Sequence, residues 1–67
     1  MEPIRLKDLK RGEWFIRKPN EYPKEKQVFI RGDYIRGTHK YECQRFSDIS
    51  DAIYLKDETI VYVDFVF

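Results

Sequence analysis

The chain has 67 residues, a formal net charge of +1, and 42% hydrophobic, 16% aromatic and 37% charged residues, which is enough for one domain and no more. Its single cysteine, Cys43, cannot form an internal disulfide, and with the single histidine, His39, it falls short of the four Cys/His ligands of a structural zinc site. A domain this short buries a modest fraction of its surface, so its five Phe, five Tyr and one Trp are expected to supply the core.

In chain order, Ile4–Leu6 reads as a first strand. Residues 7–12 are a connecting turn, with Leu9 tucked inward and Gly12 supplying the tight backbone. A second strand runs from Glu13 to about Lys18, with Trp14 and Ile16 on one face and Phe15 and Arg17 on the other. Residues 19–26 carry Pro19, Pro23 and several charges and read as an exposed loop. The third strand spans Gln27 to about Ile35. Strict alternation puts Val28, Ile30 and Tyr34 on one face and Phe29, Arg31, Asp33 and Ile35 on the other, and Gly32 marks a bulge or sharp bend. Residues 36–40 are a hairpin connection, and Tyr41 to Phe46 return as a fourth strand. Ser47 to Ala52 is the one stretch that reads as a helical turn, or equally as a loop. A short fifth strand follows at Ala52–Leu55, then a turn at 56–58. Thr59 to Phe67 is the last strand, with Val61, Val63, Phe65 and Phe67 on one face and Ile60, Tyr62, Asp64 and Val66 on the other.

Five to six short antiparallel strands predict an all-β domain over residues 1–67. A flat sheet of this size leaves edges and an apolar face exposed, so a small, strongly bent sheet or a barrel is expected, SH3-like first and OB-like second. Residues 1–45 hold twelve of the Lys/Arg and seven of the acids, a balance of +5, and residues 46–67 hold one Lys and five acids, a balance of −4. A basic and an acidic side can follow from this gradient. A lone cysteine, no export signal and no apolar run of membrane length point to the cytoplasm without membrane attachment, and the initiator methionine points to a whole small protein.

The run Leu6-Lys7-Asp8-Leu9-Lys10-Arg11-Gly12-Glu13-Trp14-Phe15 resembles the opening of many short uncharacterised proteins of bacterial and phage genomes. These share leucine, two residues, leucine, a basic residue, any residue, Gly, an acidic residue and an aromatic pair. Val28-Phe29-Ile30-Arg31-Gly32-Asp33-Tyr34, Lys40-Tyr41-Glu42-Cys43 and Ile60-Val61-Tyr62-Val63 resemble the same group, so the likeness covers most of the chain. It implies a small SH3-like β-barrel of phage or mobile-element origin and implies no activity.

No catalytic set, metal site or cofactor follows from the residues. His39 and Cys43 share a hairpin without an orienting carboxylate and read as a solvated turn histidine and a packed thiol. Asp48 and Asp51 suit a turn or helix start, Asp57-Glu58 is a turn, and the three glycines are isolated, so there is no phosphate loop. A non-catalytic binding module is expected. On the 28–46 hairpin, Arg31, Arg36, Lys40 and Arg45 are interleaved with Phe29, Tyr34 and Tyr41, and Arg17 and Lys18 extend the set. The candidate interface is Arg17, Arg31, Tyr34, Arg36, Lys40, Tyr41 and Arg45, whose cations would track the phosphates of single-stranded or structured nucleic acid while rings stack on bases. Against it stand the near-zero net charge and the ordinary use of Tyr34 and Tyr41 as a cross-strand packing pair. The competing expectation is a protein-interaction module. Either Tyr22 with Trp14 or Tyr62 forms a peptide groove, or the last strand pairs at an edge with a partner or a second copy in a homodimer.

Overall fold

The computed structural model describes residues 2–67. Six strands are present: β1 (Glu2–Arg5), β2 (Trp14–Ile16), β3 (Val28–Ile35), β4 (Lys40–Arg45), β5 (Asp48–Lys56) and β6 (Ile60–Val63). All pair antiparallel in one sheet of order β1-β6-β2-β3-β4-β5. Among the described residues, helix is confined to two 3-10 turns, Leu6–Asp8 and Glu25–Gln27. The fold is therefore all-β, as the pattern predicts. The sheet is not closed into a barrel, because β1 and β5 each keep a free edge. Pro3 lies on the β1 edge, where its missing N–H costs no ladder bond.

The sheet must nevertheless curl. In a flat sheet β5 and β6 would stand four strand spacings apart, roughly 19 Å. The connection from Lys56 to Ile60 reaches only about 14 Å when fully extended. Curling brings the two strands within reach, and backbone hydrogen bonds then clip the corner. The Leu6 N–H donates to the Thr59 carbonyl (2.9 Å) and the Lys7 N–H to the Asp57 carbonyl (3.0 Å), while the Asp57 N–H donates to the His39 carbonyl (3.0 Å). Lys7 reinforces the corner by pairing with Glu58 at 2.8 Å.

Directly opposed residues share a face, so the registers define an inner surface. Phe15 lies opposite Phe29, Phe29 opposite Arg45, Arg31 opposite Cys43, and Tyr34 opposite Tyr41. Leu6, Leu9, Phe15, Phe29, Tyr41, Cys43 and Val61 form the core, with Ile4, Ile53, Leu55 and Val63 packed against it. Phe15 and Phe29 stack with centroids 5.8 Å apart. Each fully buried ring or branched side chain contributes about 1.5–3 kcal/mol, which a chain without disulfides needs. Leu9 is buried as expected, and Gly12 has φ +89°, the backbone its turn requires.

Two features bend the pattern away from simple alternation. The β3–β4 register shifts between Arg31 and Tyr34, which is the bulge that Gly32 signals. Its extra residue carries Tyr34 to the inner face beside Tyr41, not to the Val28–Ile30 face that strict alternation gives. Gly32 is required there, since an added Cβ would lie 2.4 Å from the Glu42 carbonyl oxygen. The second feature is the last strand, which stops at Val63 instead of running to Phe67 and lies between β1 and β2, so it is not the edge expected to pair with a partner or a second copy. Asp64 adopts φ 62° and turns the chain outward. Phe67 then meets Trp14 (5.4 Å) and Phe46 (4.9 Å) edge-on on the outer face, and the Val66 N–H donates to the Glu21 carbonyl at 2.8 Å. Residues 48–52 are also strand, not helical turn. Asp48 accepts from the Ser50 hydroxyl (2.6 Å) and N–H (3.1 Å), bonds that hold its carboxyl below the ordinary value and shape an irregularity where β5 shifts register.

Candidate nucleic-acid interface

β2 points Phe15 inward, and Arg17 follows two residues later, where alternation keeps it on the same face. β4 delivers Arg45 opposite Phe29, with the guanidinium carbon 4.9 Å from the ring centroid. The 19–27 segment folds back to meet them. Gln27 organises it, because its side-chain oxygen accepts from the Lys24 N–H (2.9 Å) and from Asn20 Nδ2 (3.4 Å). The Tyr22 N–H donates to Asn20 Oδ1 at 3.0 Å, and Pro23 is buried.

A groove of about 420 Å³ results. Four cations line it: Arg17, Lys18, Lys26 and Arg45. Asn20 and Gln27 add amides, Ile16, Pro23 and Phe29 supply apolar wall, and no carboxylate among the described residues lines it. Arg45 is held in place: its Nε donates to Asp51 at 2.8 Å and its Nη1 to the Lys26 carbonyl. A guanidinium has further donors beyond these two, so Arg45 presents a pre-oriented fork. Lys18 and Lys26 are exposed. The arrangement can bind anions by charge-assisted hydrogen bonds.

The residues singled out from the sequence divide. Arg17 and Arg45 meet in the groove. Arg31 does not line it; its guanidinium stacks 4.0 Å above the Tyr41 ring, and its Nε is buried without a hydrogen-bond partner among the described residues. Tyr41 is 7% exposed and belongs to the core. Tyr34 packs on Tyr41 at 4.9 Å and shares a 2.9 Å hydrogen bond with His39 Nδ1; its phenol is raised, chiefly by desolvation and then by Asp57. Arg36 lies in the β3–β4 turn, and Lys40 begins β4 opposite Lys56. That turn is five residues along β4 from Arg45, roughly 17 Å away, so Arg36 and Lys40 form no continuous patch with the groove. Lys26, Asn20 and Gln27 are the groove residues that the sequence pattern leaves out. Their one sequence signal is a proline-bracketed loop with cations at both ends.

His39 and Cys43 do not pair. His39 is engaged with Tyr34, whereas Cys43 is fully buried and contacts the Tyr41 carbonyl at 3.7 Å. Burial pushes the Cys43 thiol up to about 11, so it stays protonated at neutral pH. Among the described residues no group of three or more His, Cys, Asp or Glu is placed to hold a metal ion, and no helix is long and apolar enough to cross a membrane. A second surface lies on the outer face. There Trp14, 45% exposed, and Phe67, 48% exposed, stand with Phe46. Comparison with family models, curated proteins and solved structures finds no match to this chain.

Proposed function

We propose that this chain is a non-catalytic module that binds single-stranded nucleic acid in the groove between β2, β4 and the 19–27 segment. The observation that carries this reading is the convergence of Arg17, Lys18, Lys26 and Arg45 on one groove that no carboxylate among the described residues lines, with Asp51 engaging only the Nε edge of Arg45, in a chain of net charge only +1. Cations gathered this way repel one another, and the repulsion is relieved by a polyanion. Phosphates of a flexible strand can enter a groove of this size, with Arg45 as the fixed anchor and the lysines adapting to the backbone. Sequence preference is expected to be slight, because phosphate contacts position a strand without reading it.

Fluorescence anisotropy with a labelled short single-stranded oligonucleotide tests this. Four phosphate contacts predict a slope of log K against log salt of roughly −3, or about a twenty-fold loss of affinity between about 50 and about 150 mM salt. Binding that ignores salt, or no binding at low salt, rejects the reading.

The second reading is a protein-interaction module, in keeping with an accessory protein of a phage or mobile element such as the sequence resemblance implies. It is favoured by the half-exposed Trp14 and Phe67 rings, since aromatic anchors of this kind dominate binding energy at protein interfaces.

A further inference from the structure

Tyr22 is the most exposed aromatic side chain that the fold lacks a use for. Tyr22 is 66% exposed, yet the backbone around it is tied into the fold. The Tyr22 N–H donates to Asn20 Oδ1 (3.0 Å), Asn20 Nδ2 donates to Gln27 Oε1 (3.4 Å), and the preceding Glu21 carbonyl accepts from the Val66 N–H (2.8 Å). The following residue, Pro23, is buried. Tyr22 itself does not line the groove, but Asn20 and Pro23 on either side of it do, which places Tyr22 at the groove's rim. A large ring held mostly in water contributes little to folding, because most of its apolar area stays hydrated. It is, however, pre-organised for a flat apolar partner, since the ordering cost of binding has largely been met by the fold.

We infer that Tyr22 is the stacking platform of the groove: it takes the face of a nucleobase whose phosphates lie against Arg17, Lys18, Lys26 and Arg45. This rests on the nucleic-acid reading above and adds a residue to it. The other rings are less suited. Tyr41 and Phe29 are buried, Tyr34 is committed to Tyr41 and His39, Trp14 and Phe67 pack on each other, and Tyr54, 51% exposed, lies on the β5 edge with its hydroxyl donating to the Glu42 carboxylate. Every base has a π-face, so stacking on Tyr22 adds affinity without demanding a sequence. It also separates a nucleic acid from a bare polyanion, which has phosphates and no bases.

The test compares wild type with Tyr22→Ala and Tyr22→Phe, each titrated against a short single-stranded oligonucleotide, an abasic strand of the same length, and inorganic polyphosphate. Tyr22 is exposed, so neither variant is expected to alter the fold, which thermal unfolding checks. The expected result for Tyr22→Ala is a loss of roughly ten-fold or more in oligonucleotide affinity, with binding of the abasic strand and polyphosphate unchanged and Tyr22→Phe close to wild type. If Tyr22→Ala binds the oligonucleotide like wild type while an Arg17→Ala/Lys26→Ala variant loses it, the stacking role is overturned and the groove stands. If neither variant changes oligonucleotide binding, the groove reading fails together with it.

Discussion

Gly32→Ala is expected to be among the most damaging single substitutions in this protein. The added methyl would meet a backbone atom, the Glu42 carbonyl oxygen, at 2.4 Å, so no side chain can swing away to make room. Relief requires β3 and β4 to separate at the bulge, and the residues flanking that point are Arg31 and Tyr34, paired with Cys43 and Tyr41. Separation would disturb the stacked Arg31–Tyr41 contact and the buried Cys43 and Tyr41. Overpacking of this kind costs roughly 1–3 kcal/mol and occasionally more. For a domain of this size each kcal/mol lowers Tm by about 4–8 °C, so a fall of roughly 10–20 °C is expected. Gly37→Ala, where an added Cβ meets nothing, is the matched control and should unfold within a few degrees of wild type. Circular dichroism melts of the two variants decide the point; equal melting temperatures would mean that β4 yields freely at Glu42.

The second large effect concerns binding, not folding. Arg17 and Lys26 are exposed groove cations, and no ion pair to either is seen among the described residues. The double variant Arg17→Ala/Lys26→Ala should therefore keep its stability to within about 1 kcal/mol. Its oligonucleotide binding should weaken at low salt, and the salt slope should shrink from roughly −3 to roughly −1.5, because each phosphate contact removed takes about 0.7 from it. Arg45 is the wrong residue for this experiment. It covers Phe29 and ties the Lys26 carbonyl to Asp51, so its loss would change the groove's shape along with its charge. Arg36→Ala/Lys40→Ala removes the same formal charge at the far end of β4. Little change in its slope locates binding in the groove, whereas an equal loss means that the protein's field and not the groove attracts the strand.

Much of this fold is legible in the sequence because it rests on local rules. Alternation places Phe15 and Arg17 on one side of β2 and Trp14 and Ile16 on the other, and the lone glycine inside a strand run foretells the bulge at Gly32. What escapes is what one extra residue or one backbone angle does downstream. The bulge reverses the side on which Tyr34 falls, and nothing in Arg31-Gly32-Asp33-Tyr34 fixes which side of Gly32 receives the extra residue. Val61, Val63, Phe65 and Phe67 alternate as well as any strand. The chain leaves the sheet at Asp64 because aspartate tolerates positive φ and because Trp14 and Phe46, distant in sequence, offer Phe67 a place to pack. The site was half visible for the same reason. Arg17 and Arg45 carry the right charge on elements that can be read, but Lys26 joins them through a loop folded by Asn20, Gln27 and Pro23. Interleaving along the hairpin suggested a single surface, and β4 is long enough to keep Arg36 and Lys40 apart from Arg45.

Under the proposed function, a nucleic-acid strand binds in the groove and not elsewhere on the chain. Titrating the 15N-labelled protein with a short single-stranded oligonucleotide at low salt, and following its amide and arginine side-chain NMR signals, tests this most directly. The expected result is shifts concentrated in residues 17–27 and at the Arg45 guanidinium, with the 36–40 turn nearly still. Shifts centred on that turn or on Trp14 and Phe67, or no shifts at saturating oligonucleotide, would contradict it.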